Sequence, residues 1–386
     1  MTAKILFHCW EFPPNGTGVG FYIEQMSSAL TRAGCSCVIV TGKADGYPEE
    51  EQTAHGTVYR MYSREQIRSR RTRDAVLSIA QNHQVDWIEG ADHLGECAGL
   101  LGVKRRPPVL LKIHTCNALR VLVRSQVLFP WQTAMVQLAL WRNARQIAAE
   151  KPSIQGADWA CTPSKRMREE VIRQGLRSSD HLGVVPNPVR LSNTEPENRE
   201  TKEPLVLFVG RLDIGKGVSY LPGIMSRVRA TVPNAVLEIA GGDSYARGLG
   251  SIRDWLSRRF GDGIGRVRFL GHLDSAGLDA AYRRAGVVVV PSRWDNFPGA
   301  VLEAMAHGKP VVASPHGGMP EMLEGTECPV ADPETDAFGD ALLNLLRNDA
   351  ARRQAGLSAY RKAARCYTEE SVAKQYLDFV QSCRQG

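Results

Sequence analysis

The chain has 386 residues, 43% of them hydrophobic and 23% charged, which excludes disordered and fibrous classes and exceeds one ordinary domain. Its formal net charge of +7 lies wholly in the first half, where residues 1–190 hold 24 Lys and Arg against 17 Asp and Glu, while residues 191–386 hold 24 against 24. The nine cysteines, odd in number and without a C-x-x-C pair, read as reduced thiols of a cytosolic protein.

Met1-Thr2-Ala3-Lys4 runs directly into the strand-like Ile5-Leu6-Phe7, which is not the pattern of a secretory signal. The expected strands of the first half are residues 5–9, 37–41, 85–89, 109–113, 159–162 and 184–185, each followed by a helical pattern. After the first comes Pro13-Pro14-Asn15-Gly16-Thr17-Gly18-Val19-Gly20, opening an amphipathic helix over 21–32. Glycines at a strand-to-helix turn let backbone amides approach a ligand, although the spacing is not the dinucleotide G-x-G-x-x-G and a plain tight turn is an equal reading. His93, beside Asp92 and near Glu89 at a strand end, reads first as a structural residue, with a place beside Gly20 in acceptor binding as the alternative.

Lys104-Arg105-Arg106 and the arginines of 68–73 form basic clusters without interleaved aromatics or any nucleic-acid module, so no nucleic-acid partner is expected. A basic half does suit phosphate-bearing small molecules or an anionic membrane surface. Residues 125–141 are uncharged but interrupted by Pro130 and several Gln, too short for a span. Trp131, Met135, Leu138 and Trp141 read as a packed face, with peripheral contact at the inner face of the cell membrane as the alternative. Val185-Pro186-Asn187-Pro188 and the polar stretch 192–203 mark a hinge. The expected domains are therefore 1–190 and 191–367.

The second half repeats the pattern, with strands expected at 205–209, 236–240, 267–270, 287–290, 311–313 and 329–330. Strands alternating with helices imply right-handed crossovers and parallel sheets, so the fold class is α/β with two Rossmann-like domains and a ligand cleft between them. Strand 205–209 leads into Gly210-Arg211-Leu212-Asp213-Ile214-Gly215-Lys216-Gly217, which sets a guanidinium and an ammonium five residues apart around a glycine turn. That pair suits phosphate, and it is not a Walker loop. Gly241-Gly242-Asp243 and Gly271-His272-Leu273 fall at strand ends that could cup a planar base, or serve only as turns. Residues 291–310 carry Asp295 in a loop and Glu303 on a helix, with Phe297, Pro298 and Gly299 at the helix start, where free amides face outward. No D-x-D and no cluster with metal-ligand spacing occurs, so Arg, Lys and helix dipoles would have to neutralise a diphosphate leaving group. His8, His55, His83, His181, His272, His307 and His316 read as structural or surface residues, and residues 368–383 as a helix that could pack on either domain.

The run from Gly210-Arg211-Leu212 to Lys216-Gly217, with Asp295-Asn296-Phe297-Pro298-Gly299, Glu303-Ala304-Met305-Ala306 and Gly308-Lys309-Pro310, resembles the retaining family 4 glycosyltransferases of GT-B fold. The likeness continues more loosely through the glycine loop, His114, Ala157-Asp158, Pro163-Ser164 and Pro186-Asn187-Pro188. It implies a nucleotide-diphosphate sugar held mainly by the second domain, an acceptor held by the first, and transfer with retention, without cofactor. In that frame Glu303 would bind the ribose hydroxyls, Arg211 and Lys216 the diphosphate, and Asp295 with the amides after it the sugar. His114 would sit near the sugar's C6 side, Gly16 and Gly18 near phosphate or acceptor, and the helix over 368–386 would cross back to the first domain. The acceptor could be a saccharide, a lipid-linked molecule or a natural product. The usual first carboxylate of the pair is Glu, and Asp295 is shorter by roughly 1.5 Å. A nucleotide-sugar epimerase, or a non-catalytic sugar-nucleotide-binding subunit, would be compatible with the same architecture.

Overall fold

The computed structural model describes residues 3–14, 18–126, 141, 143–191, 203–246 and 248–385. They fall into two compact units, Met1–Pro188 with Thr368–Gly386, and Val189–Tyr367. The polar stretch expected to be the hinge lies outside the described residues except for Glu203.

In the first unit, β1 (Lys4–His8), β2 (Ser36–Gly42), β3 (Glu50–Thr53), β4 (Gly56–Tyr62), β5 (Trp87–Ala91), β6 (Val109–Lys112), β7 (Trp159–Thr162) and β8 (Leu182–Val184) form one sheet. The order is β3-β4-β2-β1-β5-β6-β7-β8, parallel throughout except for β3 against β4. Successive side chains leave opposite faces of a strand, so Ile5, Phe7, Cys37 and Ile39 enter one apolar cluster while Leu6, Val38 and Val40 enter another. Helix Gly18–Arg32 covers the first face through Tyr22, Ile23, Met26 and Leu30, and helix Glu369–Gln385 joins it through Val372, Tyr376 and Val380. Helices Arg70–Asn82, Ala144–Gly156 and Lys165–Arg173 help cover the other. Because both faces are buried, these strands read as continuous apolar runs.

The hairpin of β3 and β4 was not among the expected strands. It lies at the sheet edge, and the alternately exposed Glu50-Glu51-Gln52-Thr53 has no apolar run to betray it. Gly56, at φ +119°, closes its turn, and a Cβ there would lie 2.1 Å from the Cys37 carbonyl oxygen.

In the second unit, β9 (Leu205–Val209), β10 (Val236–Ala240), β13 (Val267–Gly271), β14 (Val287–Val290) and β15 (Val311–Ala313) form a parallel sheet in the order β13-β10-β9-β14-β15. A small antiparallel hairpin, β11 (Tyr245–Ala246) with β12 (Gly250–Ser251), follows β10. The strand expected at 329–330 is a single bridge from Val330 to Ala313. Chain direction across the sheet reverses between β9 and β14. Such a reversal is where open α/β sheets place their ligands, and here the segments after Val209 and Val290 lie side by side at the carboxyl ends of these two strands.

No helix among the described residues is long and apolar enough to cross a membrane. Of the suggested aromatic face, Trp131, Met135 and Leu138 lie outside the described residues, and Trp141 is 75% exposed.

Candidate active site

The segment after β9 is shaped by its own side chains. Asp213 accepts a hydrogen bond from the Gly215 amide at 2.7 Å, capping the short 3-10 turn Ile214–Lys216. Gly217 then takes φ +75°, and a Cβ at this position would lie 1.8 Å from the Pro291 carbonyl oxygen. Only glycine lets the two segments touch here. The Arg293 amide donates to the Gly215 carbonyl at 2.9 Å, so the contact continues along the backbone. As a result the Lys216 ammonium stands 2.5 Å from Asp295 Oδ2, with side-chain exposures of 38% and 15%. Arg211 leaves the same turn and is exposed.

Asp295 is held from behind by a second glycine. Its carbonyl accepts the Gly318 amide at 2.8 Å, and Gly317 sits against it at φ +74° where a Cβ would come within 1.9 Å. Phe297 turns its ring into the core, edge-on to Tyr367 at 5.4 Å, leaving its backbone as the part it can offer a ligand. Pro298 is the N-cap of helix Gly299–Ala306; no side chain caps that helix and no acid occupies its first turn. The first amides of this helix are therefore partial positive charges of the kind that attract an anion.

Glu303 lies one turn into the helix. The Tyr282 hydroxyl donates to its Oε2 at 2.7 Å, and burial raises its carboxyl above the usual range while that hydrogen bond opposes the rise. Its Oε1 is the atom nearest to a Cβ built on Gly299, at 3.7 Å. His307, four residues on, donates Nδ1–H to the Glu303 carbonyl at 2.7 Å, meets Asp279 Oδ1 through Nε2 at 3.0 Å and stacks on Tyr282 with ring centres 4.9 Å apart. Gly271 ends β13 at φ +69°, its carbonyl accepting the Gly241 amide at 2.7 Å, and His272 beyond it is exposed.

In the first unit, Gly16 lies outside the described residues. Gly18 begins helix Gly18–Arg32 with open space around its α-carbon, whereas Gly20 is packed, with the Glu11 backbone 3.2 Å from where a Cβ would be. His114 follows β6. Asp92, buried beyond β5, accepts the amides of His114 and Thr115, one on each carboxylate oxygen, both at 3.1 Å. The His114 ring meets Tyr22 edge-on at 4.8 Å; burial, then the charge of Lys112, keep its pKa well below the usual histidine value, so the imidazole is neutral. Burial and neighbouring Glu150 push the Asp92 carboxyl up to about 7. His93 is partly buried, its pKa lowered by burial, with the charges of Glu11, Arg64 and Arg120 around it. Among the described residues no three His, Cys, Asp or Glu side chains could hold a metal ion.

Sequence reasoning named the ends of these arrangements and missed the middle. Tyr282 and Asp279 were passed over and His307 was read only as structural or surface, although Asp279 and Tyr282 are three apart and Glu303 and His307 four apart, spacings that share one helix face. A buried group was missed as well. Lys112 donates to the Val185 carbonyl and lies 4.8 Å from the Tyr22 ring centre, and the Tyr22 hydroxyl donates to Glu89 at 3.0 Å. Tyr376, which accepts the Trp87 indole N–H at 2.8 Å, adjoins them.

A family model described as "Glycosyl transferases group 1" matches residues 203–348, and one described as "Glycosyltransferase Family 4" matches residues 16–193. The glycogen synthase of Mycobacterium tuberculosis is 26% identical, the match covering 99% of this chain and 95% of that protein. The phosphatidyl-myo-inositol mannosyltransferase of Mycobacterium leprae is 32% identical over 70% of this chain and 66% of its own. Among solved structures, sucrose-phosphate synthase from Thermosynechococcus elongatus superposes with a TM-score of 0.78 at 23% identity, covering 98% of each chain.

Proposed function

Since the chain belongs to the group 1 and family 4 glycosyltransferases and has their GT-B fold, we propose that it transfers a sugar from a nucleotide-diphosphate donor to an acceptor hydroxyl, with retention of anomeric configuration and without a metal. The observation that carries this reading is the meeting of Lys216 and Asp295 at the carboxyl ends of β9 and β14, with Arg211 on the same turn. Two cations suit a diphosphate, the uncapped helix start at Gly299 adds partial positive charge, and the carboxylate is available to sugar hydroxyls.

In this reading the acceptor oxygen bonds to the anomeric carbon on the face from which the diphosphate departs. The carbon–oxygen bond to phosphate breaks, and the departing phosphate oxygen takes the acceptor's proton. Arg211 and Lys216 stabilise the charge that develops on that oxygen, so no enzyme carboxylate acts as nucleophile. Glu303 takes ribose hydroxyls and Asp295 takes sugar hydroxyls. Metal independence rests on the missing D-x-D and on these two cations. We place the protein in the cytoplasm; Lys104, Arg105, Arg68, Arg70 and Arg71 of its basic first unit are exposed, a surface compatible with peripheral contact to anionic membrane.

A thermal-shift panel of UDP-, GDP- and ADP-sugars in the presence of EDTA tests the donor and the metal question together. One donor should raise the melting temperature, and with an accepted hydroxyl compound the product anomer, read by NMR, should match that of the donor. An inverted anomer overturns retention, and turnover abolished by EDTA overturns metal independence.

A further inference from the structure

Helices Ser275–Arg284 and Gly299–Ala306 are joined by two parallel contacts. Asp279 and Tyr282 are three residues apart on the first helix, and Glu303 and His307 are four apart on the second and its C-cap. Tyr282 meets Glu303 at 2.7 Å, and Asp279 meets His307 at 3.0 Å. The imidazole lies nearly flat on the tyrosine ring, 22° from parallel, so it fixes the plane in which the hydroxyl points. Tyr282 itself is buried, 1% exposed. Its hydroxyl ends on the Glu303 carboxylate and ties it at one oxygen.

We propose that Tyr282 is a positioning residue for donor binding: by occupying Oε2 of Glu303, it presents Oε1 to a ribose hydroxyl of the nucleotide. The assignment rests on Glu303 being the ribose ligand. A carboxylate free to rotate about its last bond would share hydrogen bonds between both oxygens and present neither in a fixed direction. A carboxylate tied at one oxygen has its remaining acceptor aimed before the ligand arrives, so less orientational freedom is lost on binding. His307 and Asp279 secure the tyrosine ring in turn.

The test takes whichever of UDP, GDP and ADP gives the largest thermal shift, with its 2′-deoxy and 3′-deoxy counterparts, and measures Kd by calorimetry. With the unaltered protein, removing one of the two hydroxyls should weaken binding about tenfold, as expected when a hydrogen bond to a charged group is lost. Tyr282→Phe, which keeps the ring and its stack on His307, should weaken binding of the ribonucleotide about tenfold and reduce the deoxy penalty to twofold or less. It should raise KM for the donor and leave kcat within about twofold. In a Glu303→Ala background the same substitution should change nothing further. Should Tyr282→Phe fail to fold, Asp279→Asn, made at a partly exposed side chain, supplies the second measurement: by loosening His307 it should weaken ribonucleotide binding about two- to threefold and shrink the deoxy penalty. If Glu303→Ala weakens binding and abolishes the deoxy penalty while Tyr282→Phe does neither, the positioning role is wrong. If neither hydroxyl matters to the unaltered protein, it is the ribose reading of Glu303 that fails, and the inference with it.

Discussion

The Lys216 ammonium and the Asp295 carboxylate, 79 residues apart in the chain, stand 2.5 Å apart at the carboxyl edge of the second sheet. On the proposed function, a diphosphate arriving there would meet one cation already matched with a carboxylate and another, Arg211, exposed. On that same reading the lysine would turn from the carboxylate to the phosphate or serve both, and in either case its charge would matter most when the leaving oxygen becomes anionic.

Lys216→Ala should therefore lower kcat by about 10² to 10³, the usual effect of deleting one group that stabilises a developing oxyanion. Its cost to stability should stay near 1 kcal/mol or below, because the pair is partly exposed. Steady-state kinetics beside urea melts separate the two effects, and an enzyme with undiminished turnover would remove Lys216 from the mechanism.

Gly217→Ala should destabilise the second unit by about 3 kcal/mol or more, since it adds left-handed strain to a methyl 1.8 Å from the Pro291 carbonyl oxygen. Gly223→Ala, inside helix Leu221–Thr231 with nothing within 4 Å of the new methyl, should instead be neutral or stabilise by up to about 1 kcal/mol. Denaturant unfolding of the two variants side by side checks both. Equal effects would mean that the close approach of the two segments contributes little.

Tyr376→Phe should cost about 1–3 kcal/mol, because the Trp87 indole N–H loses its acceptor in a buried place and Glu89 loses a neighbouring hydroxyl. The loss should appear as a lower melting temperature with donor affinity unchanged, since the pair lies in the first unit.

Glu89 gives a signed dependence on pH. Burial raises its carboxyl from the ordinary 4.5 to about 6, against the opposing effects of Tyr376, Lys112 and Tyr22. The folded protein thus holds a proton that the unfolded chain releases, so this group's contribution to stability is present at low pH and is lost as pH rises between about 4.5 and 6. Relative to the unaltered protein, Glu89→Gln should gain up to about 2 kcal/mol between pH 4.5 and pH 7. Urea melts at the two pH values measure the change, and a difference that is flat or moves the other way would be incompatible with a raised pKa.

The parallel strands were legible because burial on both faces makes them continuous apolar runs, as in Val287–Val290. The polar edge strand Glu50–Thr53 was not, since only pairing with β4 distinguishes it from a loop. In the site, Lys216 and Asp295 stood out by chemistry, but nothing local says that residues so distant in the chain will touch. That follows from strand order, which places β9 beside β14. Tyr282 was illegible for a different reason: a tyrosine on an amphipathic helix looks like core packing until its hydroxyl is seen to end on a carboxylate.

The first unit is discontinuous in sequence, and synthesis meets its parts in an awkward order. The second unit, roughly 180 residues long, is made between Pro188 and the returning helix Glu369–Gln385. At about 5–20 residues per second a ribosome needs roughly 10–40 s for that stretch. Throughout it, the apolar surface around Ile5, Phe7, Tyr22 and Met26 waits for Val372, Tyr376 and Val380. A nascent chain stalled anywhere in the second unit would carry that uncovered surface, making the early half a natural client for chaperones that bind apolar segments.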